Sequence, residues 1–232
     1  MTSTASSSRS GTWSLILVPA IISLFVTLLR LVGELRGWSE EWFTTQTGGV
    51  VPWGMSWVFG ITWLAIPFGI YFAWKLAKRG DGPKSRAKAV GVAIAGIILA
   101  IAGLFFIRPL IPLGFPALLI PIWLMMAVAA ALQYFGWPKL FKTLLAYGFA
   151  ARIPVVIVMF FALWGRWGTH YDYVGMPPEF DMPLLSGFFW LAFFPQLIFW
   201  VGYTVLVGSF AGAIAVALFK VTPVEQAKTT HS

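Results

Sequence analysis

Lys139 to Trp167 reads KLFKTLLAYGFAARIPVVIVMFFALWGRW, an apolar run with basic residues at both ends and a single arginine, Arg152, near its middle. A membrane-crossing helix needs about 20 apolar residues, each rising about 1.5 Å. On that rise Arg152 lies roughly 20 Å from Lys139 and from Arg166, close to the bilayer midplane. An ionised side chain at that depth costs about 2.5 kcal/mol or more, so it marks a functional site by default. Two bland readings compete. Arg152 snorkels to the nearer interface, or it bonds to backbone carbonyls freed by prolines, such as that of Trp63 four residues before Pro67.

Outward from this stretch the chain repeats the same chemistry. With 59% hydrophobic and 10% charged residues over 232 positions, it lies far from soluble usage. The apolar runs are long and continuous, which excludes the short alternating strands of an outer-membrane barrel. The net charge of +8 does not point to nucleic acid, because the basic residues stand at the ends of apolar runs. They read instead as topology signals and lipid-head contacts. The chain has no cysteine, which removes disulfides, thiolate metal sites and cysteine nucleophiles from consideration.

Six spans are expected. Residues 1–12 read as a disordered tail, followed by an uncleaved first span from Trp13 to Val32 that ends in Arg30 and Glu34, four residues apart and read as an interfacial ion pair. Residues 37–52 form a loop, and the second span runs from Trp53 to Ala77 with Pro67 in its interior. The connection KLAKRGDGPKSRAK carries six Lys/Arg against Asp81. Its GPKS resembles the end of a phosphate-binding loop, but that motif needs a glycine five residues before an adjoining Gly-Lys pair and no proline between them, so that reading is dropped. The third span, Ala89 to Ile107, has a seam of small residues at Ala89, Ala93, Gly96, Ala100 and Gly103, read as a packing face inside the bundle. Pro109, Pro112, Pro116 and Pro121 predict an irregular or kinked entry to the fourth span, which ends near Phe135. The stretch from Lys139 is the fifth span. The sixth lies within Leu184 to Lys220, too long for one upright crossing and expected to bend near Pro195, with Gly208 and Gly212 as a second seam. Between spans five and six, His170, Asp172, Glu179 and Asp181 are spaced too loosely to favour a metal site, and this loop reads as solvated.

Orientation follows from the basic residues. With the N-terminus in the cytoplasm, Arg9, the six basic residues around Lys84, Lys139, Lys142, Lys220 and Lys228 fall inside, against Arg30, Arg36, Arg108 and Arg166 outside: eleven against four. Both termini and Lys84 are then cytoplasmic, in a plasma or inner membrane, and Thr45 and Thr169 are external.

Every Asp and Glu lies in a loop, a tail or at a span end, so no intramembrane carboxylate stands ready to neutralise Arg152 or relay protons. The polar groups at comparable depth are neutral: Ser23, Thr27, Thr62, Gln196, Tyr203 and Thr204. Side chains lean toward a helix's N-terminus, and Gly148 one turn below leaves room, so Arg152 is expected to reach toward the cytoplasmic side. Nucleophile elbows, paired acids and histidine clusters are missing, which argues against an enzyme. Prolines at matching depths in the two halves, Pro67 with Pro154 and Pro19 with Pro121, hint at inverted repeats of the kind transporters use.

The sequence therefore predicts an all-α integral membrane protein, a six-transmembrane-helix bundle with several proline-kinked helices over 13–220 and cytoplasmic tails at 1–12 and 221–232. It is expected to bind or transport a small anionic or amphiphilic, lipid-like ligand through Arg152, Thr62, Gln196 and Tyr203, with no cofactor or metal. Its other expected partners are membrane lipids and a membrane protein or a second copy. The competing class is an accessory protein that packs against a partner in the bilayer.

Overall fold

The computed structural model describes residues 6–45, 58–107, 118–173, 182–219 and 221. The opening part of the second expected span, the Pro109 to Pro116 cluster, Glu179 and Asp181 lie outside the described residues. Among the described residues there are six long helices, α1 (Ser6–Leu35), α2 (Ala65–Lys78), α3 (Arg86–Ile107), α4 (Leu119–Gly136), α5 (Pro138–Gly165) and α6 (Leu184–Leu218), and a 3-10 turn at His170–Asp172. No strand occurs among the described residues. Five helices, all but α2, contain stretches long and apolar enough to cross a membrane, which supports a helical membrane protein.

Burial separates the helices into a centre and a rim. In α6, 61% of the most apolar window is buried, against 22% in α3, 28% in α4 and 33% in α1. α6 is therefore the central post. The helices around it turn Leu, Ile, Val and Phe outward, as lipid-facing surfaces do. Small residues let backbones approach: a Cβ on Gly212 of α6 would lie 2.7 Å from the carbonyl oxygen of Gly69 in α2. The seam on α3 is likewise filled from inside the bundle. Ala89 and Ala93 are buried, and a Cβ on Gly96 or Gly103 would run into Gln133 or Met125 of α4.

Prolines sit where their cost differs. Pro67 is the third residue of α2, and Pro121 is the third residue of α4. In a first turn the missing N–H had no intrahelical partner to lose. Pro154 and Pro195 are internal to α5 and α6. Around Pro195 the helix widens into two π-type stretches, Phe188–Phe193 and Pro195–Trp200, which accommodate the missing donor by re-spacing the ladder. α1 starts at Ser6, inside the stretch read as a tail.

At the heart of the bundle Tyr147 of α5 packs against Phe68 and Phe72 of α2 with ring centroids 5.3 and 5.4 Å apart, beside the fully buried Leu144 and Val205. Tyr147 also shares a 2.8 Å hydrogen bond with Ser23, tying α1 to α5. This close-packed layer lies one helical turn beyond Arg152, on the side of Lys139.

Candidate functional site

Arg152 is only 5% exposed and faces into the bundle from α5. Its Nη1 donates to Gln196 Oε1 at 3.2 Å and its Nη2 to Thr62 Oγ1 at 3.4 Å. The indole ring of Trp200 lies against the guanidinium, 5.0 Å from its centre. The widened turn of α6 brings Gln196 and Trp200 to the same side, and Gln196 is steadied by its amide nitrogen, 3.5 Å from Met159 Sδ. Among the described residues, the buried Arg152 Nε meets no hydrogen-bond partner.

All these partners are neutral. Among the described residues, ion pairs join Arg30 to Glu34 and Lys139 to Asp81, the His170 ring lies against Glu34, and none of these contacts includes Arg152. Three other helix hydroxyls bond back into their own helices: Ser23 donates to Pro19 O, Thr27 to Ser23 O and Thr204 to Trp200 O. Of the four residues expected at the site, the structure brings Arg152, Thr62 and Gln196 together. Tyr203 stays apart, with its ring edge-on to Trp200 and outside the cavity lining.

Arg152 closes one end of a cavity of about 240 Å³. Its walls come from the outer part of α1 (Thr27, Arg30), the segment before α2 (Phe59 to Thr62), the second half of α5 (Val155, Met159) and the turn at His170 to Tyr173. The cavity thus extends from Arg152 toward the C-terminal end of α5. That corrects the expected lean toward the N-terminal side. The room supposed at Gly148 is filled by Val201, whose Cγ1 would lie 3.1 Å from an added Cβ. The carbonyl of Trp63 is not freed by Pro67 either, since it accepts from Ile66 N at 3.0 Å.

The turn after α5 is not the solvated loop its polar sequence suggested. Arg166 ends α5 in a left-handed conformation, and Asp172 then accepts from the backbone of Gly168 and Thr169 and from the Thr169 hydroxyl. This local cap turns the chain back onto α1. There Glu34, whose side chain is fully buried, accepts from Arg30 Nε at 2.8 Å and from the His170 backbone N–H at 3.0 Å, while His170 Nδ1 lies 2.6 Å from the oxygen that Arg30 also meets. The expected Arg30–Glu34 pair exists, but as a buried clamp for the turn. Sequence reasoning missed Trp200, Tyr171 and Tyr173. Only the spacing of Gln196 and Trp200 could have pointed to the first.

Burial holds the His170 imidazole below its ordinary pKa of 6.5, against the opposing pull of Glu34. The direction is physical, because Arg30 already neutralises Glu34 and a second proton would leave surplus charge in a closed space. Asp172, which also favours the imidazolium, is engaged in the cap. Between the depressed folded value and about 6.5 the unfolded chain binds more protons than the folded one, so stability falls as pH drops through that window. Melting temperature in detergent should decline below about pH 6.5, and His170→Gln should decline less steeply. Equal slopes for the two proteins would show that His170 is not held neutral.

Among the described residues no three His, Asp or Glu gather as a metal site. No family model, curated protein or solved structure matches this chain.

Proposed function

We propose that this is a six-span membrane protein that binds a small anion in the Arg152 cavity. The observation that carries the reading is a buried guanidinium with neutral partners only among the described residues, at the end of a space large enough for a ligand. An unpaired charge so placed is costly unless something of opposite sign meets it. A carboxylate or similar group fits a guanidinium fork through charge-assisted hydrogen bonds. The accessory-protein reading would be favoured by a lipid-facing arginine and an uncovered small-residue seam. Arg152 is buried and the α3 seam is covered, so the ligand-binding reading has the better support.

In this proposal α2 completes a sixth crossing together with the residues ahead of it, and the basic residues around Lys84 lie in the cytoplasm. The cavity then opens toward the external face and is closed below by the Tyr147 layer. Lys84 and Glu40 are both exposed, so single cysteines there report the two faces of a chain that has no native cysteine. An impermeant thiol reagent on intact cells should label Glu40→Cys and spare Lys84→Cys. The reverse pattern would turn the cavity to the cytoplasm.

The binding reading is tested with benzoate and its neutral isostere benzamide. A ligand at 100 times its Kd adds about 2.7 kcal/mol, or roughly 5–10 °C in melting temperature for a chain of this length. Benzoate should raise the melting temperature of the purified protein at constant ionic strength, and benzamide should not. Equal effects of the two would remove charge from the recognition and with it the proposal.

A further inference from the structure

The structure points to more than an anion: we propose that the cavity selects a small aromatic monocarboxylate, its carboxylate on Arg152 and its ring against the aromatic wall. This rests on the anion-site reading and adds the shape and valence of the ligand.

Valence follows from counting charges around the space. Two arginines line the cavity, but Arg30 is paired with the buried carboxylate of Glu34. Arg152 supplies the single uncompensated positive charge among the described residues there. Beyond Arg152 the described lining residues offer no second uncompensated cation, so a monoanion is matched and a dianion is not.

Polarity is segregated along the cavity. Arg152, Thr62 and Gln196 cluster at one end. Toward the other end, Tyr171 and Tyr173 bring hydroxyls, but both point away: Tyr171 donates to Thr27 O at 3.1 Å and Tyr173 donates to Leu191 O. Burial keeps both phenols neutral by raising their pKa. The Thr27 hydroxyl is likewise bonded back into its own helix. Arg30 and His170 also reach this end but are turned onto Glu34, so what Thr27, Tyr171 and Tyr173 add for a ligand is carbon, much of it aromatic, joined by Phe59 and by Trp200. Aromatic walls favour a flat ring through offset and edge contacts that a saturated ring cannot make.

Size sets the limit. A water takes about 30 Å³ of liquid, so about 240 Å³ holds roughly eight waters, or a ligand of roughly eight to twelve non-hydrogen atoms. Acetate leaves the wall uncovered, and an acyl chain of similar atom count gains none of the ring contacts that the wall offers.

The test is titration calorimetry of the whole protein in lipid nanodiscs with four carboxylates: benzoate, cyclohexanecarboxylate, acetate and decanoate, each corrected for binding to empty discs. Benzoate should bind roughly three- to tenfold tighter than cyclohexanecarboxylate and about a hundredfold tighter than acetate. Phe59→Leu keeps apolar volume, removes one ring and does not touch Arg152, so it should narrow the benzoate to cyclohexanecarboxylate ratio. Equal affinity of the two ring acids in the parent protein would overturn the aromatic selection and leave the anion site standing. Tightest binding by decanoate would overturn it in favour of an acyl-chain carboxylate. Binding of none of the four would remove the anion site itself.

Discussion

Arg152→Gln is expected to do two opposite things: raise the melting temperature of the ligand-free protein and abolish stabilisation by benzoate. The guanidinium is buried against a glutamine, a threonine and an indole ring, none of which returns a negative charge. Removing the charge relieves its desolvation, at the loss of two hydrogen bonds of 3.2 and 3.4 Å that a glutamine can partly replace. A net gain of about 1–2 kcal/mol would appear as a rise of a few degrees. Ligand affinity should move the other way, by about thirtyfold or more, because truncating one side of a buried charge pair costs about 2–5 kcal/mol. Arg152→Lys keeps the charge and loses the fork, so affinity should fall in the order Arg, Lys, Gln. If Gln melts lower than the parent and still binds benzoate, Arg152 is a structural residue.

The second large effect concerns the bundle rather than the ligand. A Cβ at Gly69 would lie against the backbone Cα and carbonyl of Gly208, and backbone cannot rotate aside. Gly69→Val should separate α2 from the central helix and lower stability by about 3 kcal/mol or more, seen as a fall of roughly 6–12 °C in melting temperature and a loss of yield. Gly91 of α3 provides the contrast, with nothing within 4 Å of an added Cβ. Gly91→Ala should be neutral or stabilising by about 0.5–1 kcal/mol through helix propensity alone. A Gly69→Val protein that melts with the parent would mean that α2 and α6 do not cross at these glycines.

Much of this architecture is legible in the amino-acid sequence. Apolar runs of 18 or more residues report their solvent, and five of the helices contain such runs. Arg152 stands out by depth, and Thr62 and Gln196 by being polar at a similar depth. Other features are not legible, for three physical reasons. Helices that are apolar all round carry little periodicity, so the direction of Arg152 depends on packing, and Val201 rather than the guanidinium takes the space at Gly148. The widening at Pro195, which aims Gln196 and Trp200 together, is a tertiary accommodation with no compositional mark. Thr169 to Tyr173 has the composition of a solvated loop. Its burial depends on Glu34, more than 130 positions away in the chain.

The contact between Arg152 and an anion can be measured without inference from stability. The chain has eight arginines, and Arg152 is the one placed near the middle of a span. With guanidino nitrogens labelled with ¹⁵N, the protein in lipid bilayers can be titrated with benzoate carrying ¹³C in its carboxylate, and dipolar dephasing between the two labels read by solid-state NMR. The expected result is dephasing at hydrogen-bonding range from one arginine, present in the parent and absent in Arg152→Gln. No dephasing at saturating benzoate, or dephasing that survives in Arg152→Gln, would contradict an anion site at Arg152.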